Sequence, residues 1–357
     1  MKRFLLAFSL ISASVMAAQA QTELSNYRPG VTAEGAVYFL PKTAIRVSVL
    51  VEKSVYTPGE FSKYAMRYLR LRDVPQERST SYRVVGVSQT AVGVADTSKA
   101  YAVKFNAKTV AANLSLADDG TLLAINAQAQ KVQVPAPFKA ARRVKPLNPR
   151  SFMSEEILAA GSTSKMAELT ASEIYDLREN RNLLVKGQAE FMPNDAAQMK
   201  MMLDRLEQQE NALRMLFSGV TVTDTIETIL TVVPEGSQRQ VLFRMSQKLG
   251  LVEADDLSGS PYYITVEDLN VLPPVEEAGK SKKKQPEAGI YVNVPGRMRS
   301  TITQSDETMV DVTEFPAAQF GHVELLSGDL FNKRYTTHLW LNPVTGAVER
   351  LEAEQPK

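Results

Sequence analysis

The 357 residues carry 41 lysines and arginines against 40 aspartates and glutamates, a formal net charge of +1. A nucleic-acid partner draws on a clear basic excess, so this balance argues against one. The chain has no cysteine, which removes thiol nucleophiles, disulfides, cysteine–zinc sites and a lipidated N-terminal cysteine.

At the N-terminus Lys2 and Arg3 precede a mainly apolar stretch from Phe4 to Met16, and Ala18-Gln19-Ala20 supplies a small-x-small cleavage pattern. The apolar run is shorter than the roughly 20 residues a membrane span needs, so residues 1–20 read as a secretory signal peptide cleaved after Ala20. The expected mature chain starts at Gln21, loses Lys2 and Arg3 to fall from +1 to −1, and is exported to the periplasm, free or associated with the outer membrane.

Residues 21–126 read as an N-terminal β-rich domain. In Ile45 to Glu52, Ile45, Val47, Val49 and Val51 alternate with Arg46, Ser48, Leu50 and Glu52, the period of a strand with one buried face. Within Val55–Leu71, Thr57 is the expected N-cap of a helix, with Pro58 first and Glu60 closing a capping box. Phe61, Tyr64, Ala65, Tyr68 and Leu69 then form a buried helical face against a sheet, with Lys63, Arg67 and Arg70 on the wet side. Tyr82–Val87 and Tyr101–Phe105 read as two further strands, and Leu114–Ile125 as a hairpin. Asp119-Gly120 is expected to supply the positive-φ pair of a tight primed turn.

Residues 127–150 hold four prolines, six cations and no acid, a basic linker. Residues 151–218 read as a helical hairpin. Thr170-Ala-Ser-Glu173 matches a capping box, Ile174, Leu177 and Leu184 mark one face, and Asp195 with Gln198 starts the second helix. Met199, Met202, Leu206, Gln209, Leu213 and Leu216 follow a 3-4-3-4-3 heptad seam, which closes on the first helix or stays open for a second chain.

Residues 219–357 read as a C-terminal β-rich domain. Its expected strands are Thr225–Val233, Gln240–Phe243, Tyr262–Glu267, Ile290–Val294, Arg299–Gln304 and Met309–Phe315, with a polar, mobile loop at 272–286. The chain ends in a hairpin turning at Asn342–Gly346, with Trp340 as a core anchor. A shift of 180 residues places Leu50 on Leu230, Leu69 on Leu249, Leu71 on Leu251 and Tyr82 on Tyr262, the outline of a duplicated β-lobe. The fold class is therefore α+β, two antiparallel β-rich regions flanking a central helical hairpin.

Motifs for chemistry are missing. His322 and His338 are the two histidines, and neither forms a helical metal-binding pair. Asp118-Asp119-Gly120 and Glu253–Gly259 are acidic but lack the ligand spacing of a calcium loop. Gly161-Ser-Thr-Ser-Lys165 lacks the order of a phosphate loop, and its hydroxyls read as helix caps. Asp224-Thr225-Ile226 fits a short glycosylation pattern of exported proteins. No residue is assigned a catalytic, cofactor-binding or metal-binding role, and no cofactor is expected.

Tyr38–Lys53 with Tyr56–Phe61 and Tyr64-Ala65, Phe191-Met-Pro-Asn-Asp195, and Asp255–Gly259 ahead of Pro261-Tyr-Tyr form a set of motifs. Together they resemble the Bacteroidetes family catalogued as domain of unknown function 4831. The resemblance implies an exported envelope protein and brings no activity or site residue. The resulting expectation is a non-catalytic cell-envelope protein that binds or scaffolds protein partners, with no nucleic acid, membrane span or lipid anchor, and with peripheral membrane contact allowed. A hydrolase using a carboxylate pair and a periplasmic small-ligand carrier are the alternatives.

Overall fold

The computed structural model describes residues 31–32, 35–103, 113–130, 135–140, 147–272, 289–327, 330 and 336–354. Among them are thirteen strands and four α-helices. The first antiparallel sheet is built on β2 (Gly35–Thr57), which pairs with β1 (Val31–Thr32), β3 (Ser79–Val103) and β6 (Val220–Val232). The second has the order β11 (Met309–Ser327), β10 (Gly289–Gln304), β9 (Ser260–Asp268), β7 (Gln238–Ser246), β8 (Gly250–Val252). The third runs β13 (Val348–Glu354), β12 (Thr336–Leu341), β5 (Leu122–Ile125), β4 (Leu114–Leu116). The helices are α1 (Ala65–Leu69), α2 (Glu155–Ala159), α3 (Thr163–Val185) and α4 (Ala196–Ser218). None of them is long and apolar enough to cross a membrane.

The alternation read in residues 45–52 holds: Ile45, Val47, Val49 and Val51 are buried. They face Phe243, Ile264, Val266, Met298 and Ile302 of the second sheet across a common core. Earlier in β2 the buried positions are Tyr38 and Leu40, which join Leu122, Ile125, Ile290, Val292, Leu339 and Leu341 in another core. The buried positions change from even to odd numbers where the register shifts between Phe39 and Pro41, a bulge whose extra residues lie on β3 between Ala95 and Ala100. One strand thereby serves two cores. The expected separate strands at Tyr82 and Tyr101 are one 25-residue strand, because β2 offers a continuous partner to both.

Strands from residues 21–126 and 219–357 share sheets: β2 pairs with β6 over Ile45–Thr57, and β5 pairs with β12. The shift by 180 residues relates unlike places. Leu69 is buried in α1 while Leu249 is exposed in the β7–β8 turn.

Buried polar groups lock the junction of β2, β10 and the β12–β13 turn. Asn293 is 1% exposed, and its Nδ2 donates to Pro41 O (2.9 Å) and Thr345 O (2.8 Å). Its backbone N–H donates to Gly346 O. The Tyr38 hydroxyl accepts from Tyr291 N (2.8 Å) and donates to Tyr291 O (3.2 Å). Burial pushes that hydroxyl above the usual tyrosine range, against the smaller opposing effect of its backbone hydrogen bond.

At the β4–β5 connection Gly120 alone takes a positive φ (+83°), and its N–H donates to Ala117 O. This is a turn followed by a left-handed glycine, not the expected two-residue primed turn. Asp119 is held out of the left-handed region because its carboxylate accepts from Ala95 N and Thr121 N. In the basic linker, Phe138 N–H donates to Glu227 Oε2 (3.0 Å) and Arg150 forms a two-pronged ion pair with Glu60. The loop expected at 272–286 lies, from residue 273 onward, outside the described residues.

Candidate functional site

The site is assembled on α3 and α4. Helix α3 begins at Ser162, whose hydroxyl accepts from Lys165 N, so one of the Gly161–Lys165 hydroxyls, that of Ser162, caps as expected. The capping box expected at Thr170 is not formed. Thr170 lies inside α3, fully buried, and its hydroxyl donates to Met166 O (2.7 Å), the back-bonding a mid-helix threonine uses when it has no orphan N–H to satisfy.

Helix α3 ends with Gly187 N donating to Leu184 O and Gln188 N to Leu183 O. That is the paired bonding of a Schellman cap, with Gly187 at φ +70°. A Cβ at Gly187 would meet nothing within 4 Å, so the cost of replacing it is conformational. Gly187→Ala should lower unfolding stability by about 1 kcal/mol, read as a shift of the urea midpoint with unchanged slope. Helix α4 starts where expected: Asp195 accepts from Gln198 N (2.7 Å), and Gln198 Oε1 accepts from Asn194 N.

One end of the helix pair is closed. Ala167, Ala171, Ile174 and Leu177 of α3 meet Leu213, Leu216 and Phe217 of α4, with Phe61, Ala65 and Leu69 packed on them. The helix expected within Val55–Leu71 is five residues long, starts from Tyr64, and has no side-chain cap. Thr57 ends β2 instead of capping, and Glu60 is drawn to Arg150. The buried face is right for Phe61, Ala65 and Leu69, but it lies on α3 and α4, not on a sheet.

Midway along the pair, Glu210 accepts from Arg178 Nε (2.6 Å) and Arg181 Nη1 (2.9 Å). Gln209, the polar member of the seam, donates to Glu173 (3.2 Å).

The other end is open. Leu183, Leu184, Phe191, Met201, Met202 and Leu206 line a groove of about 590 Å³, with Asn180, Glu190 and Arg205 at its polar margin. Phe191 is 79% exposed, Val185 69% and Met201 60%. Apolar side chains clustered in this way at a surface mark a place where something docks, and methionines adapt to irregular partners. Helical periodicity finds Leu184 and Leu206 but not Phe191, which lies in the polar break between helices beside Met192. Two large apolar residues beside Pro193-Asn194-Asp195 were the available signal.

The other sequence-flagged residues do not join this site. Trp340 is not a core anchor: Leu339 and Leu341 point inward, while Trp340 is half-buried on the outer face, stacked with His338 and under Arg350. The strand's alternation forces this, since the core of β12 takes odd-numbered positions. His338 Nδ1 lies 2.5 Å from Asn126 O, and His322 Nε2 lies 2.9 Å from Glu324. In the 253–259 loop the hydrogen bonds from Ser258 hold the Asp256 carboxyl below the usual carboxylate range. Among the described residues no three His, Asp or Glu side chains gather to hold a metal. Thr225 lies within β6, paired with Glu52 of β2.

A second cleft of about 400 Å³ beside α2 and α3 is lined by Glu156, Glu173 and Asp176. Glu156 and Asp176 are exposed and Glu173 is bonded to Gln209, so this is an open acidic surface.

Neither a curated protein nor a solved structure matches the chain. The model of the family described as a domain of unknown function, DUF4831, matches residues 34–349. That span takes in β2, the helices that build the groove and all but the last residues of the closing hairpin, and the chain therefore belongs to the DUF4831 family.

Proposed function

We propose that this is a non-catalytic, exported cell-envelope protein that holds other protein components of the envelope, with α3 and α4 serving as a hairpin-shaped arm. The observation that carries this reading is the apolar groove at the open end of the two helices. Its walls are aliphatic, aromatic and thioether side chains, suited to the apolar face of a partner helix or strand. The signal-like leader and the lack of a nucleophile, metal or phosphate motif in the sequence support the same reading.

A photo-crosslinking amino acid in place of Phe191 tests it in growing cells, with Lys248, exposed in the β7–β8 turn, as the control position. Discrete adducts to one or a few other envelope proteins from position 191, missing from position 248, are the expected result. No adduct to another protein from 191, or the same adducts from both positions, overturns it. The groove volume lies within the range of small-ligand sites, which favours a carried apolar molecule as the second reading. Mass spectrometry of organic extracts of the purified protein would then show a stoichiometric compound.

A further inference from the structure

The face of α4 turned away from α3 carries Ala197, Lys200, Met201, Asp204, Arg205 and Gln208 along a shallow trough of about 370 Å³, of which Met201 and Arg205 also edge the groove. Met201 stands out from it, 60% exposed. Lys200 and Asp204 form no ion pair with another described residue, whereas Arg178 and Arg181 are spent on Glu210 and Arg205 is bonded to Gln208 (3.2 Å). At 3.6 residues per turn, Lys200 and Asp204 stand about 40° apart on one flank of this face, and Arg205 falls about 100° beyond Asp204 on the other flank.

A two-fold interface must be complementary to itself, because residue i meets residue j while j meets i. Opposite charges four residues apart, flanking an exposed apolar side chain, meet that condition when two copies of a helix run antiparallel. We propose that a second copy of this chain packs its α4 on this face, antiparallel, about a two-fold axis at the level of Met202. Lys200 then faces the partner's Asp204 and Asp204 faces the partner's Lys200. The two Met201 side chains flank the axis, and Arg205 stays on the far flank away from the partner's Lys200. With α3 outside each α4, the assembly has the layout of a four-helix bundle. The dimer goes beyond the envelope-binding reading, and its face shares Met201 and Arg205 with the edge of the groove.

Sedimentation analysis of the full mature chain across a concentration series tests the proposal, with far-UV circular dichroism to check that helix content is kept. Wild type should show a monomer–dimer equilibrium. Lys200→Glu alone sets a second carboxylate against the partner's Asp204, and Asp204→Lys alone sets a second ammonium against the partner's Lys200. Each should weaken the dimer at least about tenfold, since like charges across an interface are strongly unfavourable. An equimolar mixture of the two variants sets opposite charges at both contacts, beginning with the one between the two unaltered residues.

 That contact sets Lys200 of the Asp204→Lys chain against Asp204 of the Lys200→Glu chain. The other contact gains opposite charges as well, the introduced carboxylate of one chain meeting the introduced ammonium of its partner. The mixture should therefore recover a dimer, now mixed, and the double variant should recover it alone. A wild type that stays monomeric throughout, a dimer indifferent to both reversals, or a mixture no tighter than its components overturns the proposal.

Discussion

Phe217→Ala is expected to destabilise the protein by about 3–5 kcal/mol, the cost of emptying a well-packed phenylalanine site. Phe217 is fully buried, its ring 5.5 Å from that of Phe61. It occupies the last turn of α4, immediately before Gly219 and β6, while Phe61 follows the end of β2. The Phe61 N–H also donates to Leu216 O (2.7 Å), satisfying one of the orphan carbonyls at the helix end. The pair thus pins the helices to the ends of two neighbouring strands. Phe217→Leu keeps most of the volume and should cost under about 1.5 kcal/mol. Urea unfolding followed by circular dichroism at 222 nm gives both values. Trp340 fluorescence, reporting on another sheet, should move less than the helical signal if the helices open as a separate unit. Equal losses for alanine and leucine would mean that Phe217 does not fill this core.

What could be read from the sequence was whatever local periodicity and local hydrogen bonding decide. The alternation at Ile45–Val51 and the spacing of Ile174, Leu177 and Leu184 were legible because each element buries one face whatever it packs against. Asp195 was legible because its acceptor serves an N–H three residues away. The Thr170 and Thr57 expectations failed for a shared reason. A hydroxyl followed by a glutamate caps only where the backbone leaves an N–H unpaired, and tertiary pairing decides that. Around Thr57, thirteen residues of β6 carry β2 through to Thr57 itself, which leaves no room for a helix start. Nothing local announces that partner, since β6 begins only at Val220, far along the chain.

The same limit applies to the candidate site. The apolar residues of the groove come from both helices and the connection between them, and what unites them is the absence of a neighbour among the described residues, which no pattern within one helix encodes. The seam residues of α4 show the gradient directly: Leu213 and Leu216 are buried, whereas Met199, Met202 and Leu206 are half-exposed. The heptad pattern was continuous, but its covering was not. A seam that runs apolar on either side of Gln209 yet is buried at only one end leaves its other end as a surface among the described residues.

Asn293→Asp should be a variant whose stability loss grows with pH, although it changes a single atom's chemistry. The amide nitrogen of Asn293 sits between two carbonyl oxygens, 2.9 Å from Pro41 O and 2.8 Å from Thr345 O, at 1% exposure. An ionised carboxylate there would lose water and face two negative dipoles, so it folds as the neutral acid, which can still donate to one carbonyl. Its folded pKa is therefore raised above the unfolded value of about 3.9. With the pKa raised, the unfolded state releases its proton first. The variant is closest to wild type below about pH 4 and loses about 1.4 kcal/mol per pH unit as pH rises toward the folded pKa. Asn293→Ala, by contrast, strands both carbonyls and should cost about 2–4 kcal/mol at any pH. Urea midpoints of wild type and both variants between pH 4 and 8 separate the cases. A difference between Asp and wild type that stays flat over that range would mean that this amide does not hold β2, β10 and the closing turn together.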